Sequence, residues 1–129
     1  MIGLDTTVVV RHLVQDHAEQ GAAATRAMAK LTPQEPGFLT TVVVVETYWV
    51  LTRGYKIAAE TVIGALSALV DSPDIVVQDE SQVRSALRLA RSGSDFADAV
   101  ISAACTSRGC SQVLSFDRRA QRDVGFTQP

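Results

Sequence analysis

The sequence predicts an α/β fold in which a parallel sheet is covered by helices on both faces. Short runs of β-branched and other apolar residues alternate with longer helical segments along the whole chain. Strands separated by helices imply right-handed crossovers, which build a parallel sheet. At 129 residues, with 47% hydrophobic and 20% charged residues, the chain has the size and composition of one globular domain, residues 1–129. Only 5% of the residues are aromatic, so we expect an aliphatic core.

Four short apolar runs are the predicted strands, at residues 2–4, 38–39, 75–77 and 113–115. The first ends at Asp5 and the last is followed within two residues by Asp117. Both carboxylates are therefore expected at carboxyl ends of strands. In open α/β sheets, binding sites form outside those ends.

Six segments are predicted helices. Helical spacing, caps and breakers place them at about residues 6–13, 17–31, 41–53, 58–70, 81–90 and 95–107. The third segment is ambiguous, because its run of four valines at 42–45 would suit a strand equally well. Its length of about a dozen residues favours a helix, capped by Thr40 or Thr41 and ended by Gly54.

Charge and cysteine content exclude several classes of protein. The net charge of −2 and pI of about 5.6 argue against a broadly basic nucleic-acid-binding surface. Cys105 and Cys110 form neither a disulfide framework nor a zinc-ligand pattern. The chain shows no signal peptide and no apolar run long enough to span a bilayer, so we expect a soluble, cytoplasmic protein.

Four carboxylates lie beside apolar sequence, where ionised groups are expensive to bury without compensation. They are spread along the chain, at Asp5, Glu46, Asp98 and Asp117. Hard oxygen ligands are what Mg²⁺ and Mn²⁺ bind. The pattern therefore indicates four side chains that converge on one cation-binding site.

Each carboxylate also has a simpler explanation. Asp5 could cap the helix that follows it, and Asp117 could begin a turn. Asp95 stands at the start of its helix, three residues before Asp98, and is the plainest cap of the set. For Glu46 and Asp98 the main alternative is a buried ion pair with an arginine.

The sequence contains no competing catalytic apparatus. It has no phosphate-binding glycine loop, no HExxH zinc motif and no nucleophile elbow. Three arginines follow the acidic positions closely and are candidates for contacts with a phosphate backbone: Arg11, Arg118 and Arg119.

Four motifs, taken together, resemble those of PIN domains. They are the strand-ending Asp5 followed by Thr6, the Val-Val-Glu that ends at Glu46, the Asp-Phe-Ala-Asp from Asp95 to Asp98, and the Ser-Phe-Asp-Arg from Ser115 to Arg118. Each is short, but all four occur in the family's order over nearly the whole chain. The last two phrases are most similar to those of VapC-type toxins of bacterial toxin-antitoxin pairs.

The resemblance implies a short five-stranded parallel sheet between helices (an α/β/α sandwich), a homodimer and a cognate antitoxin. It also implies a hydrolase that cuts RNA with Mg²⁺ or Mn²⁺. Asp5, Glu46, Asp98 and Asp117 match the catalytic, metal-binding quartet, Asp95 is an ambiguous fifth ligand, and Thr6 and Ser115 match supporting hydroxyl positions. Two other functions remain open: a non-catalytic protein-binding module with a structural acidic cluster, and a PIN-type nuclease acting on DNA.

Overall fold

The computed structural model describes residues 1–129 and contains three strands and seven α-helices. In chain order these are β1 Ile2–Gly3, α1 Thr6–Val14, α2 Ala18–Ala29, β2 Gly37–Leu39, α3 Thr41–Trp49, α4 Ala59–Asp71, β3 Ile75–Val77, α5 Glu80–Arg91, α6 Phe96–Ser107 and α7 Arg118–Val124. A π-helical turn, Val50–Gly54, extends α3. Contacts divide the chain into two compact units, Met1–Gln78 and Asp79–Pro129, which are described in turn. The assignment of residues 1–129 to a single domain stays a prediction.

The first unit contains the parallel sheet, in the order β1-β2-β3, and the predicted α/β fold with flanking helices is confirmed. The central strand begins at a glycine for a steric reason. A Cβ atom on Gly37 would lie 2.8 Å from a methyl carbon of Leu4, 2.9 Å from one of Leu31 and 3.0 Å from one of Ile75. The absence of a side chain at Gly37 therefore lets three core residues close over the middle of the sheet.

The valine run at 42–45 forms a helix rather than a strand, as its length predicted. Thr40 caps α3 by accepting a hydrogen bond from the backbone N–H of Val43 at 3.1 Å. Val43 and Val44 are buried, while Val42 is 70% exposed. The α-helix ends at Trp49, before the predicted end near Arg53, and continues as the π-helical turn. In that turn the Tyr55 N–H donates to the Val50 carbonyl, five residues earlier, at 3.0 Å.

The second unit is mainly helical, and its most deeply buried residues lie in α5 and in the first turn of α6. Phe96, Ala86 and Ala99 are fully buried, and Val83 is 1% exposed. Helices α5 and α6 pack against each other, and each contributes a buried alanine, Ala86 and Ala99. Helix α7, with Ala120 buried, was not predicted from the sequence.

The prediction of five strands was wrong, because the sheet has three. Residues 113–115 were expected to form a strand but make only one isolated parallel bridge, between Leu114 and Thr127. Two backbone hydrogen bonds hold it, from the N–H of Ser115 to the Thr127 carbonyl and from the N–H of Thr127 to the Val113 carbonyl, each 2.9 Å. Leu114 is 56% exposed, so its apolar side chain is not buried as the central strand of a sheet would bury it.

Candidate active site

The first acidic position, Asp5, lies at the N-terminal end of α1, two residues after β1. It occupies the cap position, yet its side chain makes no capping hydrogen bond. Instead its Oδ2 accepts a hydrogen bond from the Thr7 hydroxyl at 3.1 Å, and the carboxylate is exposed. Asp5 is therefore accessible to a ligand and is not used to cap the helix.

Glu46 is held by Thr6, the first residue of α1. The Thr6 hydroxyl donates a hydrogen bond to the Glu46 carboxylate, joining the start of α1 to the second turn of α3. Thr6 is only 5% exposed, so the hydroxyl is fixed by the packing around it. The first unit thus brings together Asp5, Thr6 and Glu46 at one end of α1.

Glu46 lies at the edge of buried surface, next to the buried Thr6 hydroxyl. Its side chain is exposed, because α3 turns one face outward: Val42 and Trp49, at helical spacing from it, are 70% and 39% exposed. Glu46 makes no ion pair with an arginine, and the nearby Arg53 lies over the Trp49 ring, 5.2 Å from its centroid. A buried ion pair therefore does not explain Glu46.

Asp95 and Asp98 lie at the N-terminal end of α6 in the second unit. Asp95 caps the helix, its Oδ2 accepting a hydrogen bond from the Asp98 N–H at 3.1 Å. Asp98 itself is partly buried. Burial raises the pKa of the Asp98 carboxyl above its usual range, and the negative charges of Asp95, Asp117 and Asp123 raise it further, while Arg119 opposes them.

Asp117 caps α7, so the residues after it start a helix and not the turn that was its simpler explanation. Its Oδ1 accepts hydrogen bonds from the backbone N–H groups of Arg119 at 2.8 Å and Ala120 at 3.3 Å. The Ser115 hydroxyl accepts from the Asp117 N–H at 3.0 Å. The carboxylate is exposed, and the two caps leave Oδ2 available to another ligand.

Sequence reasoning missed two features of the second unit. Asp123 is a further carboxylate close enough to raise the pKa of Asp98. Its own pKa is lowered, first by a hydrogen bond from Arg122. Phe116, directly before Asp117, is 79% exposed. Recognition of α7 would have placed Asp123 in its last turn, about 9 Å along the helix axis from Asp117.

The three candidate RNA-binding arginines have different surroundings. Arg11 is engaged within the first unit, donating to Gln20 at 2.7 Å, to the Tyr55 hydroxyl at 3.1 Å and to Asp16 at 3.4 Å. Arg119 lies 3.5 Å from Asp123 and donates to the Gly93 carbonyl at 3.4 Å. Arg118 is exposed and has no intramolecular partner.

The donor chemistry of these side chains fits a hard divalent cation. Every candidate ligand is a carboxylate, and the pKa of Asp98 is raised first by burial and then by neighbouring negative charges, which a cation would offset. Neither unit contains a group of three or more His, Cys, Asp or Glu side chains already arranged to hold a metal ion. The carboxylates of Asp95 and Asp117 instead accept hydrogen bonds from helix N–H groups.

Comparison with known proteins identifies the family. No curated protein matches the sequence. The crystal structure of Mycobacterium tuberculosis VapC20, a sarcin-ricin loop cleaving toxin, is similar at 21% identity and a TM-score of 0.48, covering 100% of this chain and 98% of that one. None of the helices is both long and apolar enough to cross a membrane. The PIN domain family matches residues 2–126, so the chain belongs to the PIN domain family, whose members are nucleases.

Proposed function

We propose that the chain is a metal-dependent endoribonuclease, the toxin of a bacterial toxin-antitoxin pair. One observation carries the metal-dependent part of the proposal. In a chain of a nuclease family, Asp98 is partly buried and lies close enough to Asp95, Asp117 and Asp123 for their charges to raise its pKa. A cation placed among these carboxylates would stabilise them in their ionised form.

The proposed ligands of Mg²⁺ or Mn²⁺ are Asp5, Glu46, Asp98 and Asp117. Such an ion, when bound, supplies an activated water and offsets negative charge on the scissile phosphate. No side-chain nucleophile is then needed, in agreement with the motifs that the sequence lacks. The Asp95 carboxylate already accepts a hydrogen bond from the Asp98 N–H, so its first role is to hold the turn that carries Asp98.

Two hydroxyl residues act as positioning residues in this proposal. Thr6 fixes the Glu46 carboxylate through a direct hydrogen bond. The Ser115 hydroxyl accepts a hydrogen bond from the Asp117 N–H and so fixes the backbone that carries the Asp117 carboxylate. Partners of this kind commonly set the orientation of metal ligands.

RNA contacts are assigned to the segment around Asp117. Arg118 has no partner within the protein and is available for a phosphate, whereas Arg119 and Arg11 would first have to exchange their present hydrogen bonds. The exposed Phe116 ring, two residues before Arg118 in the sequence, suits an unpaired nucleobase, which stacks on aromatic side chains. A single-stranded or looped RNA offers both groups.

The toxin proposal also includes two protein partners and a cytoplasmic location. The Asp-Phe-Ala-Asp and Ser-Phe-Asp-Arg motifs are those for which a cognate antitoxin and a homodimer are expected. The outward face of α3, with Val42 and Trp49, is apolar surface that a protein partner could cover. Size-exclusion chromatography with light scattering would give the oligomeric state.

Cleavage of matched RNA and DNA oligonucleotides tests the function. We expect cleavage of RNA, but not of DNA, in Mg²⁺ or Mn²⁺, and none after chelation. Glu46→Gln should abolish it, while Glu60→Gln, at an exposed acid in the first turn of α4, should leave it unchanged. Equal cleavage of DNA would favour the DNA nuclease, and neither cleavage nor Mn²⁺ binding at any enzyme concentration would favour the non-catalytic module.

A further inference from the structure

Helix α6 ends in a Schellman motif that has a cysteine at each of its two contacting positions. Gly109 is in the left-handed region at φ +79°, and its N–H donates to the Thr106 carbonyl at 3.0 Å. The Cys110 N–H donates to the Cys105 carbonyl, also at 3.0 Å. These are the two hydrogen bonds that define the motif, in which the side chains at the positions of Cys105 and Cys110 commonly touch.

Both cysteines occupy these contacting positions as free thiols. Cys105 is partly buried and Cys110 is exposed. The pKa of the Cys105 thiol is raised, first by burial and then by the charge and hydrogen bond of the Cys110 thiol. The backbone motif therefore places two reduced cysteines at positions whose side chains commonly meet, and one of them is open to solvent.

We propose that Cys105 and Cys110 form a modification site, a dithiol that a hydroperoxide oxidises to an intramolecular disulfide. This inference is independent of the nuclease function. The exposed Cys110 is the sulfur that a peroxide reaches first, and Cys105 resolves the product.

The chemistry balances with hydrogen peroxide as the oxidant. The Cys110 thiolate attacks one peroxide oxygen, so that an S–O bond forms, the O–O bond breaks and the leaving hydroxide takes a proton to become water. The Cys105 thiolate then attacks the Cys110 sulfur, which forms the S–S bond and breaks the S–O bond, and the second hydroxide leaves as water. The two sulfurs together lose two electrons, and the peroxide gains them.

Intact-mass measurement and thiol alkylation of the purified full chain test the site. After treatment with hydrogen peroxide, we expect the monomer mass to fall by about 2 Da and both thiols to be lost together, with a reductant restoring both. In Cys105→Ser, the oxidation should instead stop at a Cys110 sulfenic acid that a dione reagent traps. Oxidised wild type that keeps an alkylatable Cys105, gains oxygen on Cys110, or forms disulfide-linked dimers would overturn the proposal.

Gly109→Ala separates the effect of the motif from simple proximity in sequence. A Cβ at Gly109 meets no atom within 4 Å, but the positive φ strains any L residue, so the change disfavours the motif without a steric clash. We expect the disulfide to form about fivefold more slowly, or in about fivefold lower yield, in this variant. Circular dichroism should show that the variant remains folded. An unchanged rate in the folded variant would show that the motif does not bring the thiols together.

Discussion

Replacing Thr6 with valine removes the hydroxyl that donates to Glu46 but keeps the shape of a buried, β-branched side chain. A hydrogen bond to a charged group contributes about 1.5–3 kcal/mol. Because Glu46 is exposed, water can solvate its carboxylate after the change, so we expect a loss near the lower end, about 1.5 kcal/mol. For 129 residues, an unfolding entropy of about 2.1 cal/mol/K per residue converts this loss into a fall in Tm of about 5–6 °C.

The same substitution separates stability from metal binding when it is compared with Thr6→Ser. Serine keeps the hydroxyl and loses one buried methyl group, which lowers stability by about 1 kcal/mol. Both variants should therefore lose comparable stability in calorimetry. Only Thr6→Val frees the Glu46 carboxylate, so only it should weaken Mn²⁺ binding, by about 10–100-fold.

A double-mutant cycle with Glu46→Ala isolates the pair. We expect a coupling energy of about 1 kcal/mol between Thr6 and Glu46, measured by urea unfolding of the four proteins. A coupling energy near zero, together with equal Mn²⁺ affinities for Thr6→Val and Thr6→Ser, would refute the positioning role of the Thr6 hydroxyl.

Three further substitutions have expected outcomes. Burial and neighbouring carboxylates raise the folded-state pKa of Asp98, so its ionised form destabilises the fold. Asp98→Asn should therefore be more stable than wild type at pH 7 without metal. Thermal melts across pH should show this advantage vanishing as the pH falls toward 3.8. Phe116→Ala should raise the KM for RNA cleavage about fivefold or more, because base stacking contributes about 1–3 kcal/mol. The control Leu114→Ala should leave the KM unchanged, and equal KM values for the two variants would contradict the base contact. Phe96→Ala should lower the free energy of unfolding by about 3–5 kcal/mol in denaturant titrations, because the ring is fully buried. A loss below about 1 kcal/mol would contradict the tight packing of this ring.

The helices and the strands of the first unit were predictable because their signals are local. Thr40 and Gly54 mark where the helical path through the valine run begins and ends, and length decided between helix and strand. Asp95 was correctly predicted as a helix cap, since its hydrogen bond reaches only three residues along the chain. Such contacts depend on spacing that the sequence displays directly.

Features set by tertiary packing were not predictable in the same way. An apolar neighbourhood in sequence made a buried ion pair the main alternative for Glu46, but whether a helix face is covered depends on what packs against it. The segment at 113–115 has strand-like residues yet pairs only through Leu114, because a strand also needs a partner in register. Helix α7 was missed because Asp117 and the charged residues after it are equally typical of a turn.

The proposed catalytic quartet comes from sequence motifs, and the structure adds the immediate hydrogen-bond partner of each acid or of its backbone. Thr6 supports Glu46, Thr7 bonds Asp5, Ser115 supports Asp117, and Asp95 holds the turn of Asp98. The exposed Phe116 and the acidic Asp123 came only from the structure. Exposure and charge proximity are properties of the folded chain, which explains why the sequence did not reveal them.

Calorimetric titration of Mn²⁺ into wild type, Asp5→Asn and Asp98→Asn tests the central claim most directly. Both acids are members of the proposed quartet, so the proposal requires that binding be lost in each variant. We expect saturable binding by wild type and its loss in each variant, with thermal melts confirming that both remain folded. Wild-type stoichiometry and affinity in either variant would contradict a metal site built from all four carboxylates.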